Sequence, residues 1–152
     1  MSPEKALYEF LKTAVAEAEE DSPLYGAQVL PTVYHQPQQP IAIRVGNCDS
    51  TLSPRVAGMT EQDALCVVEI LSRVPDEIEP EEYLEARERA REAQLAAAQF
   101  LLDDPSLGNR VCDSLLLDST RAFGSLKTSK NAVALIPVLI NPSGRHRATL
   151  NL

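Results

Sequence analysis

Glu79-Pro-Glu-Glu-Tyr-Leu-Glu-Ala-Arg-Glu-Arg-Ala-Arg-Glu-Ala-Gln-Leu-Ala-Ala-Ala-Gln-Phe-Leu-Leu102 runs into Asp103-Asp104-Pro105-Ser106-Leu107-Gly108, and two apolar strand-like runs follow. Tyr83, Ala86, Ala90, Ala93, Ala97 and Leu101 recur at helical spacing, which predicts an amphipathic helix over 79–102, ~35 Å long at ~1.5 Å per residue. Its alanines let the backbone lie close to a sheet or to another helix. Glu77, Glu79, Glu81, Glu82 and Glu85 crowd its start, where the helix dipole favours negative charge, and Glu85 stands at i,i+4 from Arg89. Pro105 and Gly108 are the expected stop. Beyond it, 111–123 reads as a strand with a bulge or twist, because Leu115, Leu116 and Leu117 put apolar groups on both faces. A polar loop over 124–130 then leads to the last strand, Asn131-Ala-Val-Ala-Leu-Ile-Pro-Val-Leu-Ile-Asn141. Pro137 cannot donate a ladder hydrogen bond, so this strand is expected at an edge or at a bulge.

Working back toward the N-terminus, Ser2 before Pro3 is a helix start: an N-cap followed by a residue whose missing N–H costs nothing there. Ala6, Leu7, Phe10, Leu11, Ala14, Val15 and Ala18 extend a helical stripe to about Glu20. The runs 28–34 and 41–45, joined by His35-Gln-Pro-Gln-Gln-Pro40, read as a hairpin with a proline-stiffened connection. Residues 46–63 lack either periodicity and are expected to form a projecting loop. Leu65-Cys-Val-Val-Glu-Ile-Leu71 is apolar on nearly both faces and should be a central strand. The expected architecture is α+β: one domain over 1–140, a mainly antiparallel sheet of about five strands with two helices packed on it, and a basic tail over 141–152.

With 152 residues, 44% of them hydrophobic and 24% charged, the chain is of globular type and long enough to bury a core. Low aromatic content, 5% with no Trp, argues against base-stacking platforms. Three cysteines, Cys48, Cys66 and Cys112, are an odd number without close pairing; no disulfide framework is expected, and a reducing compartment is the better match. No basic leader precedes an apolar core segment at the N-terminus. The longest apolar run, 132–140, is far short of the ~20 residues a membrane helix needs.

Charge is unevenly placed. Up to Asp118 the chain holds all 22 acidic residues against nine Arg or Lys, a balance of −13; beyond it stand only Arg121, Lys127, Lys130, Arg145 and Arg147, a balance of +5. Such a chain repels nucleic acid over most of its surface, while one copy's basic end complements the next copy's acidic body. A solvated helix plus a chance basic tail is the plainer alternative.

Chemistry-bearing patterns are sparse. His35 and His146 stand at no metal-ligand spacing from each other or from a cysteine. Cys48 beside Asp49 lacks an adjacent activating base in the sequence, so a plain thiol is favoured over a nucleophile. The scattered glycines form neither a phosphate-binding loop nor a nucleophile elbow. Paired carboxylates in the long helix read as a dipole-favoured solvated face before an acid/base site. No catalytic residue, metal or cofactor is therefore assigned. Arg55, Lys127, Lys130, Arg145, His146 and Arg147 are the candidate interface residues, on the grounds of charge and placement in loops or tail; a frayed terminus is the plain reading of the last three.

The helix ending Leu101-Leu102-Asp103-Asp104-Pro105-Ser106-Leu107-Gly108-Asn109-Arg110-Val111, followed by Ala132-Val-Ala-Leu-Ile-Pro-Val-Leu-Ile140, resembles tail terminator proteins of long-tailed bacteriophages, and the N-terminal helix with its early strand pair fits the same order. The resemblance implies a virion protein assembled in host cytoplasm, without catalysis or cofactor. Its copies would form a hexameric ring on the head-proximal end of the tail tube, end tube polymerisation and offer a surface to the head connector. DNA would pass through the ring without specific binding, which suits an acidic chain of pI near 4.7. The family's loops vary, so 46–63 and 124–130 are nominated as contact loops from exposure and length. A head-completion or neck protein joining portal to tail is the neighbouring alternative; a small cytoplasmic adaptor with an acidic docking helix, or an enzyme with Cys48 or His35 in a pocket, are the others.

Overall fold

The computed structural model describes residues 2–32, 36–46, 49–56, 59–74, 79–117 and 131–141, and of 49–63 the backbone alone. Its order is α1 (Pro3–Glu17), β1 (Gln28–Leu30), β2 (Ile41–Val45), β3 (Asp49–Val56), β4 (Met59–Arg73), α2 (Pro80–Asp103), β5 (Asp113–Leu116) and β6 (Asn131–Asn141). Five strands lie side by side as β1-β2-β4-β6-β5, and β3 pairs with β4 off that path. The fold is α+β, with two helices on one face of a mixed, mostly antiparallel sheet.

Local chemistry sets α1. The Ser2 hydroxyl accepts from the Lys5 N–H at 3.2 Å, Pro3 occupies the first turn, and Ala6, Leu7, Phe10, Leu11 and Ala14 are buried. The helix stops at Glu17, short of the expected Glu20. Residues 19–21 are all acidic, which the negative end of a helix dipole disfavours, and the Ser22 hydroxyl instead supports a turn by accepting from the Leu24 N–H.

The pairing of β1 with β2 corrects the sequence reading: they are parallel, Val29 opposite Ile43, and do not form a hairpin. Pro31, Pro37 and Pro40 stiffen the link, and a connection of that length runs back beside the strand where a two-residue turn would have reversed it. The Gln28 side chain accepts from the Gln38 N–H at 2.7 Å, holding the link against β1.

Residues 46–63, expected as a projecting loop, are largely β-hairpin. Asp49–Val56 pairs antiparallel with the first half of β4, with a register shift between Pro54 and Val56. Val56 lies opposite Met59, and Pro54 is tolerated because β3 is paired on one side among the described residues. Among the described residues β6 pairs with β4 from Arg73 to Ala64, and the hairpin continues past that stretch.

The central place of β4 agrees with its two-faced apolar run: Ile43 lies opposite Ile70 on one side, and Ile136 opposite Val68 on the other. Pro137 does not mark an edge, because β6 is paired with both β4 and β5. Its carbonyl accepts from the Leu117 N–H at 3.0 Å, so its nitrogen also faces the β5 side, one residue past the last β5 register pair, Leu116 with Val138. The missing donor falls where β5 ends.

α2 lies over β6 and β4, burying Ala86, Ala90, Ala93, Ala97 and Leu101, while Tyr83 of the expected stripe is half-buried. Gln94 joins the buried side, where its Nε2 donates to the Leu135 carbonyl at 2.6 Å and so pins the helix to the sheet. α1 and α2 meet through Phe10 and Phe100, ring centroids 4.7 Å apart.

The chain leaves α2 through a tight lock. One Asp104 carboxylate oxygen accepts from the Ser106 hydroxyl at 2.5 Å and the Ser106 N–H at 3.1 Å; the other accepts from the Gly108 N–H at 3.0 Å. Leu107, Gly108 and Asn109 all have φ between 51° and 67°. Left-handed backbone is costly for leucine, and complete burial of the Leu107 side chain in the core offsets that cost. Arg110 closes the lock by donating to the Leu107 carbonyl and to Glu9 of α1.

The cysteines also depart from expectation. Cys66 is buried in β4 and disulfide-bonded, whereas Cys112 is free and exposed. The odd cysteine count hid a bridge because pairing depends on distance in space, not on spacing along the chain.

Candidate interaction site

Of the six nominated interface residues, Arg55 lies in β3 at the register shift, and Lys127, Lys130, Arg145, His146 and Arg147 lie outside the described residues, as do Cys48, His35 and the expected contact loop 124–130. Of the six, only the backbone of Arg55 is therefore among the described residues. The structure exposes three other surfaces.

The first is the sheet face away from the helices. Side chains alternate along each strand, so Cys66, Val68, Ile70, Ile136 and Val138 face the helices while Leu65, Val67, Leu135 and Leu139 face the opposite way. Register sets Leu115, Leu139 and Leu65 in one row across β5, β6 and β4. Leu115 is 59% exposed and Leu117 38%. Arg44 pairs with Glu69 on this face, Nη2 to Oε2 at 2.8 Å and partly shielded from water. Gly46 is needed beside it: its N–H donates to the Val67 carbonyl at 2.9 Å, and a Cβ there would stand 2.9 Å from that same oxygen.

A second surface is the outside of α2. Leu84, Leu95 and Leu102 are separated by 11 and seven residues, each a whole number of turns to within about 20°, and therefore form one stripe. They are 54%, 60% and 57% exposed. Leucines off the inner stripe were a signal present in the sequence.

The third is a groove of about 390 Å³ between the C-terminal halves of α1 and α2. Ala14, Ala18, Leu24, Ala96 and Phe100 give it an apolar floor, and Glu17, Glu19, Asp21 and Asp103 stand around it. Neither helix carries a basic residue in its last turn. Two negative dipole ends thus coincide with four carboxylates, of which none is ion-paired among the described residues. Asp103 accepts one hydrogen bond, from Gln99 at 2.7 Å. Sequence reasoning saw the acidic composition but not this site, because Glu17 and Asp103 come together only when the helices pack. Elsewhere, Asp104 has its carboxyl held below the ordinary 3.8, chiefly by the Ser106 hydroxyl, with the Gly108 and Ser106 N–H groups and Arg110 adding to that against a desolvation cost.

Among the described residues no group of three or more His, Cys, Asp or Glu side chains is arranged to hold a metal ion, and no helix is long and apolar enough to cross a membrane. The three surfaces present apolar side chains, and the sheet face and the groove set charged groups beside them. The chain matches no protein-family model and no curated protein.

Proposed function

We propose that the chain is a structural subunit of a long-tailed bacteriophage, a tail terminator whose copies form a ring on the head-proximal end of the tail tube, end its polymerisation and present the surface to which the head attaches. The observation that carries this reading is the placement of exposed leucines on opposite layers of the fold. Leu84, Leu95 and Leu102 face outward from the helix layer, and Leu115 and Leu117 face outward from the sheet layer. Two distinct apolar surfaces on one subunit suit head-to-tail contacts, in which one surface of a copy meets a different surface of the next and rotation closes the ring. The α+β fold and the resemblance at 101–111 and 132–140 agree with it.

An acidic body also suits a ring that passes DNA without gripping phosphate. The Cys66 disulfide fits a particle that leaves the reducing cytoplasm. Purified protein added to assembling tail tubes should fix their length, scored by electron microscopy. Tubes that grow without limit in its presence would remove the terminator reading, and binding to portal rings with indifference to tubes would replace it by a neck protein.

A further inference from the structure

We infer that the groove between the C-terminal ends of α1 and α2 is the receptor for the basic segment that follows β6 in a neighbouring copy of this chain. The inference rests on the ring reading in one respect, that copies meet head to tail.

Three observations converge on that occupant. Both helices end at the groove with their negative dipole ends, and neither has a basic side chain in its last turn, so the position that ordinarily draws Lys or Arg has none from its own helix. The acidic side chains there have no cation partner among the described residues; Glu17, Glu19 and Asp21 make no ion pair, and Asp103 only accepts from Gln99. A cation from outside the subunit meets that demand. The floor is apolar, formed by Ala14, Leu24 and Phe100 with their neighbours, which calls for an occupant that is basic and also partly hydrophobic.

The chain carries such a segment. After Asn141 it reads Pro-Ser-Gly-Arg145-His146-Arg147-Ala148-Thr149-Leu150-Asn151-Leu152, with no acidic residue. Bound as an extended strand, in which alternate residues point to opposite sides, the segment would put Arg145 and Arg147 on one side and Ala148, Leu150 and Leu152 on the other. Arginines meet the carboxylates and leucines meet the floor. At ~3.3 Å per residue, an extended segment of this length can reach ~35 Å, far enough to cross a subunit boundary.

The test is a charge swap read by analytical ultracentrifugation of full-length protein over a wide concentration range at low and high salt. One variant reverses the groove, Glu17→Lys with Asp21→Lys; the other reverses the segment, Arg145→Glu with Arg147→Glu. Glu17 and Asp21 are exposed, all four residues are charged, and circular dichroism checks that each variant is folded. We expect wild-type association to weaken in high salt, and each variant alone to associate about tenfold or more weakly than wild type. An equimolar mixture of the two should recover association, because native groove then meets native segment, reversed groove meets reversed segment, and the copies alternate around the ring.

Wild-type association in either variant alone overturns the inference. So does recovery only when all four changes share one chain, which would place the segment in its own subunit's groove, and so does a wild type that stays monomeric at every concentration. The tube-length experiment stands apart: tubes limited by protein whose association ignores all four changes would retain the terminator and discard this contact.

Discussion

The two ends of the helices obey opposite rules. At the N-termini charge and proline placement suit the dipole: α1 has the Ser2 cap, Pro3 and Glu4, and α2, whose N-cap Glu79 makes no side-chain capping bond, has Pro80 with Glu81 and Glu82 in its first turn. At the C-termini, Glu17 and Asp103 stand where the dipole favours cations, with Glu19 and Asp21 beside them. A chain whose other choices agree with its fold breaks a local rule most often where a function is served. The difference teaches that the residues around the groove do not favour the stability of a lone subunit, which is what the proposed contact with a neighbouring copy calls for.

The last turn of α2 offers the largest effect. Leu101 is 1% exposed and Leu102 is 57% exposed, one residue apart. Leu101→Ala should cost about 2–5 kcal/mol in chemical denaturation, since it leaves a cavity in the core, whereas Leu102→Ala should leave unfolding within about 0.5 kcal/mol of wild type and weaken self-association instead. Equal destabilisation by both would mean that the outer stripe is buried within the subunit.

The comparison of the ends is sharpened by one substitution at each. Ser2→Ala removes the cap on the Lys5 N–H and should cost about 1 kcal/mol. Glu17→Lys places a cation at the negative end of α1 and should raise the stability of the isolated subunit by about 0.3–1 kcal/mol, measured in the same denaturation series. A gain in stability paired with a loss of association is the signature of a surface kept for a partner. Destabilisation by Glu17→Lys would break the comparison.

The smallest effect concerns Asp104. Its carboxyl titrates below 3.8 in the folded chain, so its hydrogen bonds stabilise the fold above that value, and the contribution is lost as pH falls through the folded pKa. Asp104→Asn should therefore lower stability at neutral pH and flatten the fall in stability on acidification, followed by thermal melts from neutral pH downward. An unchanged acid limb would assign that fall to other carboxylates.

How much of this was legible depends on the type of signal. Helical periodicity found both helices, and the capping pair Ser2-Pro3 placed the start of α1 correctly, because those signals lie within a few consecutive residues. The run 65–71 announced a central strand for the same reason. Residues 49–63 did not announce theirs: with Ser, Thr, Pro, Glu and Gln mixed into it, the hairpin shows no alternation to read, and backbone pairing to β4 carries it. The parallel partner of β1 was equally silent, since strand direction depends on how the intervening chain returns. Gln94, in a helix position that reads as polar surface, is buried because a sheet carbonyl lies opposite it.

The sequence by itself determined the α+β class, the two helices, the central strand and the acidic body with a basic end, because each is written in local periodicity or in composition. Only the tertiary structure decided which leucines face outward, which strands share an edge, that Cys66 is bridged, and that Glu17 and Asp103 close on one apolar groove. Those are relations between residues far apart in the chain, and they exist only once a shared core brings the two helices together on one face of the sheet.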